Sequence, residues 1–195
     1  MPLTKKHITI LFLVSLCACG LLVEEASQAT LEVNSSALTL RANEGLFYYE
    51  NEPFTGKALT YGINGRILVS ESFAKGKRHG LLKKWYPDGT QSFQAQYKEG
   101  RLHGSGNSWW PNGQLRSASH YVEGIADGTQ TQWYQSGAIF KEINLVQGKE
   151  QGLQRAWREN GKIYNNYEAK NGRTFGLRRS KLCFELKEEE VQYAD

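Results

Sequence analysis

Residues 80–90 read Gly80-Leu81-Leu82-Lys83-Lys84-Trp85-Tyr86-Pro87-Asp88-Gly89-Thr90, a short run of strand formers that ends in a turn. Pro87 presets φ near −65°, Asp88 favours the second corner, and Gly89 supplies the positive φ that closes a type I turn with a glycine bulge. Such a three-residue loop places Tyr86 opposite Thr90 and Trp85 opposite Gln91. Trp110-Pro111-Asn112-Gly113 repeats the turn, and Gln135-Ser136-Gly137 and Glu159-Asn160-Gly161 are looser versions of it.

The turn recurs because the chain does. Glycines fall at 56, 80, 104, 128, 152 and 176, again at 65, 89, 113, 137 and 161, and again at 76, 100, 124, 148 and 172, each series stepping by 24 residues. An aromatic steps with them at Tyr61, Trp85, Trp109, Trp133 and Trp157, leaving Trp110 as the one tryptophan off the column. A fixed period of this kind marks a repeat array. The third glycine series, as in Lys98-Glu99-Gly100, reverses the chain, and the first, as in His79-Gly80, opens the following strand. Each unit is therefore two strands and two turns.

The expected fold is all-β, a single-layer antiparallel meander of 24-residue β-hairpins. The loop register sets Tyr61 against Ile67, Trp109 against Leu115, Trp133 against Ile139 and Trp157 against Ile163. Strict alternation from Gln91 would put Phe73, Tyr97, Tyr121 and Leu145 on the tryptophan face. It would leave Thr90, Ser92, Gln94 and Gln96 on a wetter opposite face. Trp110 and Tyr134 fall away from the tryptophan column and are candidate partner-contact residues. Leu38-Thr39-Leu40 and Leu46-Phe47-Tyr48-Tyr49, with Asn43-Glu44-Gly45 between, form a further candidate hairpin.

The first residues read as an address. Lys5 and Lys6 precede a mostly apolar run from Ile8 to Ala18, too short to span ~30 Å of hydrocarbon, and small residues follow it, as in a secretory signal. Leu16-Cys17-Ala18-Cys19 resembles the bacterial lipobox. It implies removal of residues 1–18 and lipidation of Cys19, which anchors the protein to a membrane outside the cytoplasm. Gly20 after that Cys favours an outer membrane, facing the periplasm, in a two-membrane cell. An ordinary signal peptide cut near Ala18 or Gly20 is the alternative. The remaining segments are residues 19–43, a tether with a possible first strand; residues 44–176, the array; and residues 177–195, a charged cap. In the last, Arg178, Arg179 and Lys181 are candidate contacts for a partner or for anionic headgroups, and Cys183 is the remaining thiol.

Gly80 to Gly89, followed by Tyr97-Lys98-Glu99-Gly100-Arg101-Leu102-His103-Gly104, resembles the MORN repeat in its bacterial variant form. The resemblance runs from about Phe54 to Gly176 and is nearest to the YwqK-like proteins, often labelled antitoxins. Gln91, Ser119, Ile143 and Ala169 depart from the pattern. The resemblance implies protein scaffolding or phospholipid contact. An antitoxin role would require a toxin outside the cytoplasm, where the leader directs the chain.

Little in the sequence points to catalysis. His79 and His103 occupy one position in adjacent repeats, ~10 Å apart, too far to share a zinc ion. No serine lies in a nucleophile elbow, and the glycine spacing is not that of a phosphate loop. The formal charge of +4 over 195 residues is too small to argue for nucleic acid. A non-enzymatic protein without cofactor or metal is expected, binding a protein partner and the membrane through lipidated Cys19.

Overall fold

The computed structural model describes residues 30–177. The expectations for Cys19, Arg178, Arg179, Lys181 and Cys183 therefore lie outside the described residues. In chain order the elements are β1 (Glu32–Asn34), a 3₁₀ turn (Ser35–Ala37), β2 (Thr39–Arg41), β3 (Leu46–Tyr49), β4 (Glu52–Pro53), β5 (Gly56–Tyr61) and β6 (Ile67–Ala74). There follow β7 (Lys77–Trp85), β8 (Gln91–Lys98), β9 (Arg101–Trp109), β10 (Leu115–Val122), β11 (Ile125–Ala126) and β12 (Gly128–Trp133). The chain continues through β13 (Ile139–Val146), β14 (Lys149–Glu150), β15 (Gly152–Trp157), β16 (Ile163–Lys170) and β17 (Arg173–Leu177). From β5 to β17 every neighbour is sequential and antiparallel, in the spatial order β5-β6-β7-β8-β9-β10-β12-β13-β15-β16-β17. The all-β meander of hairpins is the observed fold.

Both turn types follow from the residues that form them. In the three-residue loop the Tyr86 amide donates to Thr90 O at 2.8 Å, the Gly89 amide donates to Tyr86 O at 2.9 Å, and Gly89 has φ 98°. Asp88 holds the loop from within, accepting from the Thr90 amide at 2.7 Å. That bond holds its carboxyl below the usual aspartate range. At the other end, Glu99 (φ 51°) and Gly100 (φ 82°) form the two-residue, left-handed turn that suits the twist of a hairpin, with Lys98 paired to Arg101. Lys75, Glu123, Gln147 and Asn171 occupy the equivalent left-handed position.

All five expected aromatic pairs form: Tyr61 with Ile67, Trp85 with Gln91, Trp109 with Leu115, Trp133 with Ile139 and Trp157 with Ile163. The assignment of faces differs. Trp85 pairs with Gln91 but Lys84 pairs with Phe93, so Ser92 is an extra residue in β8. Side chains alternate with period two, so one inserted residue reverses the sense of everything beyond it. Phe93, Ala95 and Tyr97 consequently share a face with Lys84, Leu82 and Gly80, while Trp85 lies on the opposite face with Gln94 and Gln96. The expectation that Tyr97 and its equivalents extend the tryptophan face is corrected accordingly. We call the tryptophan side the outer face and the other the inner face.

A second irregularity accompanies the first glycine series. Ala95 pairs with Gly106 and Tyr97 with Leu102, so three residues of β9 oppose Gln96 alone. Gly80 and Gly104 thus lie at bulges inside continuous strands, which corrects the expectation that they open the following strand, whereas Gly56, Gly128 and Gly152 do open β5, β12 and β15. In later repeats the same bulge interrupts the strand, between β11 and β12 and between β14 and β15. Buried Gln154 repairs the lost ladder there. Its Nε2 donates to Asn144 O at 2.9 Å and its Oε1 accepts from the Asn144 amide at 2.9 Å.

The inner face carries the buried row: Ala58, Leu82, Ala95, Gly106, Gln154 and Tyr167. Among the described residues, its hydrophobic core cluster lies at the N-terminal end. There Phe54, Ala58 and Phe73 are covered by Val33, Leu38, Phe47 and Tyr49. The rings of Phe47 and Phe73 meet edge-on at 5.1 Å. The expected hairpin of residues 38–49 exists as β2 and β3 and, with β4, forms a separate three-stranded sheet. Strand β1 adds a parallel edge to β5, Glu32 facing Lys57, so the meander is not antiparallel throughout. Gly56 is required at this seam, because a Cβ there would collide with the Leu31 carbonyl oxygen.

Candidate functional site

Neighbouring hairpins are stitched together at both ends by bonds that recur with the repeat. At the three-residue loops, Tyr86 Oη donates to Trp109 O at 2.9 Å, Trp110 Nε1 to Trp133 O at 3.1 Å, and Tyr134 Oη to Trp157 O at 2.9 Å. At the opposite end the amides of Gly100, Gly124 and Gly148 donate to the carbonyls of Arg78, Leu102 and Ala126. Trp110 and Tyr134 are thus clasps: each half-buried ring is held by its own polar atom on the next repeat.

The same two residues line one groove on the inner face, of about 440 Å³, together with Ser108, Arg116, Ser117, Gln132, Trp133 and Phe140. Ser108 Oγ and Ser117 Oγ are 2.6 Å apart on its floor. The Arg116 guanidinium lies 4.6 Å from the centre of the Trp110 ring, and the Tyr134 and Phe140 rings are 5.1 Å apart. Lys141 adds a second cation, its Nζ 5.5 Å from the Phe140 ring centre. Burial, and next the charge of Glu159, raises the Tyr134 hydroxyl above the ordinary tyrosine value; Arg158 opposes this.

Sequence reading singled out Trp110 and Tyr134, and the fold brings them together. It missed Phe140 and Gln132, and it placed Arg116 merely on a wet face. Arg116 and Phe140 are one repeat apart and stand at the bulge position of Ser92, so the signal was the inserted residue beside each loop.

The outer face offers a different surface. Along it runs the ladder of aromatic–aliphatic pairs, with Arg155 over Trp157 at 5.3 Å. The tryptophans are half-buried, yet Tyr61 is 46 % exposed and Ile67, Ile139 and Ile163 are 41 %, 40 % and 44 % exposed. The pairs therefore cover one another only in part. They leave an apolar stripe from the Trp109–Leu115 pair to the Trp157–Ile163 pair, which Gln91 beside Trp85 separates from Tyr61 and Ile67.

The histidines stand at the opposite end of the hairpins. His79 Nδ1 is 3.6 Å from Glu99, while His103 Nδ1 is buried with no hydrogen-bond partner. Among the described residues, no group of three or more His, Cys, Asp or Glu side chains is placed to hold a metal ion.

Comparison with known families matches residues 102–123 to the MORN repeat variant. Comparison with curated proteins finds no match. The matched segment, 22 residues long, covers β10, most of β9 and the start of the turn after β10, a little less than one 24-residue period. The chain thus carries a MORN repeat variant at residues 102–123, within a sheet whose neighbouring hairpins share its length, turns and register.

Proposed function

We propose that the protein is a lipid-anchored, extracytoplasmic β-repeat protein that binds or scaffolds another protein through the outer-face stripe. MORN repeats are in general protein- or membrane-binding modules, and the proposal takes the first of these for the sheet and leaves the membrane to lipidated Cys19. The observation that carries it is the pair of exposed Ile139 and Ile163 beside half-buried Trp133 and Trp157 in adjacent hairpins. Contiguous apolar surface on a soluble face favours association, and flat aromatic side chains lose little entropy when a partner covers them. The sheet holds the stripe rigid, so recognition needs no ordering of a loop. On this reading the protein does no chemistry of its own and needs no cofactor.

Two variants separate anchor from stripe. Cys19→Ser releases the protein from the membrane fraction; continued sedimentation with membranes excludes the lipid. Ile139→Lys with Ile163→Lys, both at exposed positions, abolishes cross-linking to the partner captured by the wild-type protein. Undiminished capture by a variant of unchanged melting temperature excludes the stripe. A captured toxin would turn the scaffold into an immunity protein without altering the surface that binds it.

A further inference from the structure

We infer that the inner-face groove between Trp110 and Tyr134 is a binding site for an acidic saccharide, a sugar chain carrying a carboxylate. Three observations converge on this class. The first is size: about 440 Å³ lies within the range of roughly 300–1,000 Å³ typical of small-molecule sites and is too small to seat a folded partner's surface. The groove also lies in mid-sheet, where β9, β10, β12 and β13 already pair with neighbours on both sides. An extended peptide therefore cannot add as a strand, and recognition falls to side chains.

The second is the lining. Trp110, Tyr134 and Phe140 supply flat apolar walls suited to the C–H face of a pyranose ring. Ser108, Ser117 and Gln132 supply hydroxyl and amide groups that both donate and accept, as a polyol requires. The walls are preorganised: the indole of Trp110 and the phenol of Tyr134 are pinned to the next repeat before any ligand arrives. A site built in advance loses less on binding than one that must order itself.

The third is charge. Arg116 lines the groove and Lys141 flanks it, and neither has a carboxylate within 4 Å among the described residues. Arg116 is stacked on Trp110, which orients its planar fork while leaving its N–H donors for a carboxylate. The charge of Glu159 that acts on Tyr134 is opposed there by Arg158. The electrostatic complement of the groove is thus negative charge beside a ring.

The test uses the full chain and three probes: tetragalacturonate, the neutral cellotetraose and a hexaglutamate peptide. Binding is read by titration calorimetry and by the indole N–H resonance of Trp110. Tetragalacturonate is expected to bind with a sub-millimolar Kd and to shift that resonance. Cellotetraose is expected to bind at least tenfold more weakly, and hexaglutamate not to shift it. Arg116→Gln, at an exposed position, is expected to weaken tetragalacturonate at least tenfold with an unchanged melting temperature. Absence of tetragalacturonate binding at 10 mM, equal binding of cellotetraose, equal or tighter binding of hexaglutamate, or undiminished binding by Arg116→Gln would each overturn the inference.

Discussion

Single residues carry most of what joins one hairpin to the next. Tyr134 reaches 23 positions along the chain to the Trp157 carbonyl, and only its neutral form can donate that bond. Its folded pKa is raised by burial and by Glu159, so the stabilisation is complete below the unfolded value near pH ~10. It is lost as pH rises through the higher folded value. Tyr134→Phe should therefore cost about 1 kcal/mol at neutral pH, and the difference from wild type should shrink above pH ~10. Urea denaturation between pH 8 and 11 measures both. Glu99 makes the opposite case. It holds a left-handed φ of 51° in a hairpin turn, a conformation that Asn tolerates far better. Glu99→Asn should raise the melting temperature by about 1–2 °C, corresponding to about 0.5 kcal/mol. The loss of the 3.6 Å contacts with Lys77 and His79 offsets this little, since exposed pairs contribute weakly.

The hairpin is the element, and its two turns do different work. The three-residue loop carries a bulge and decides which side chains meet across the strands; the two-residue turn only returns the chain. Replacing Gly89, at φ 98°, by Val forces a β-branched side chain into a region it avoids. It should lower stability by about 1–3 kcal/mol, checked by thermal unfolding. Because the repeated hairpins pair with adjacent units, an entire unit of the array is dispensable where half a unit is not. Deleting residues 103–126 joins equivalent positions of neighbouring repeats and should leave a folded, shorter sheet. Deleting residues 103–114 breaks the register and should abolish cooperative unfolding. Circular dichroism and urea denaturation distinguish the two outcomes.

Across the whole molecule, packing is uneven. The N-terminal end has a second sheet laid over Phe54, Ala58 and Phe73, while β17, the last strand among the described residues, leaves Phe175 56 % exposed. In a one-dimensional array, stability falls away from the best-packed unit. Amide hydrogen exchange should therefore be slowest in β5–β7 and fastest in β16 and β17; uniform protection along the sheet would contradict the gradient.

The hairpin lattice, the two turns and all five aromatic pairs were legible in the sequence, because each is decided within about ten residues of a turn. Turn geometry depends on the φ preferences of Pro, Asp and Gly, and pairing on the count of residues between them. The faces were not legible from alternation, because Ser92 and its equivalents insert one residue into a pattern of period two. The parallel edge of β1, the cover over Phe73 and the groove of Trp110, Arg116 and Tyr134 required the folded chain. Each joins segments whose meeting is set by sheet stacking and inter-repeat hydrogen bonds, and no local preference encodes those contacts.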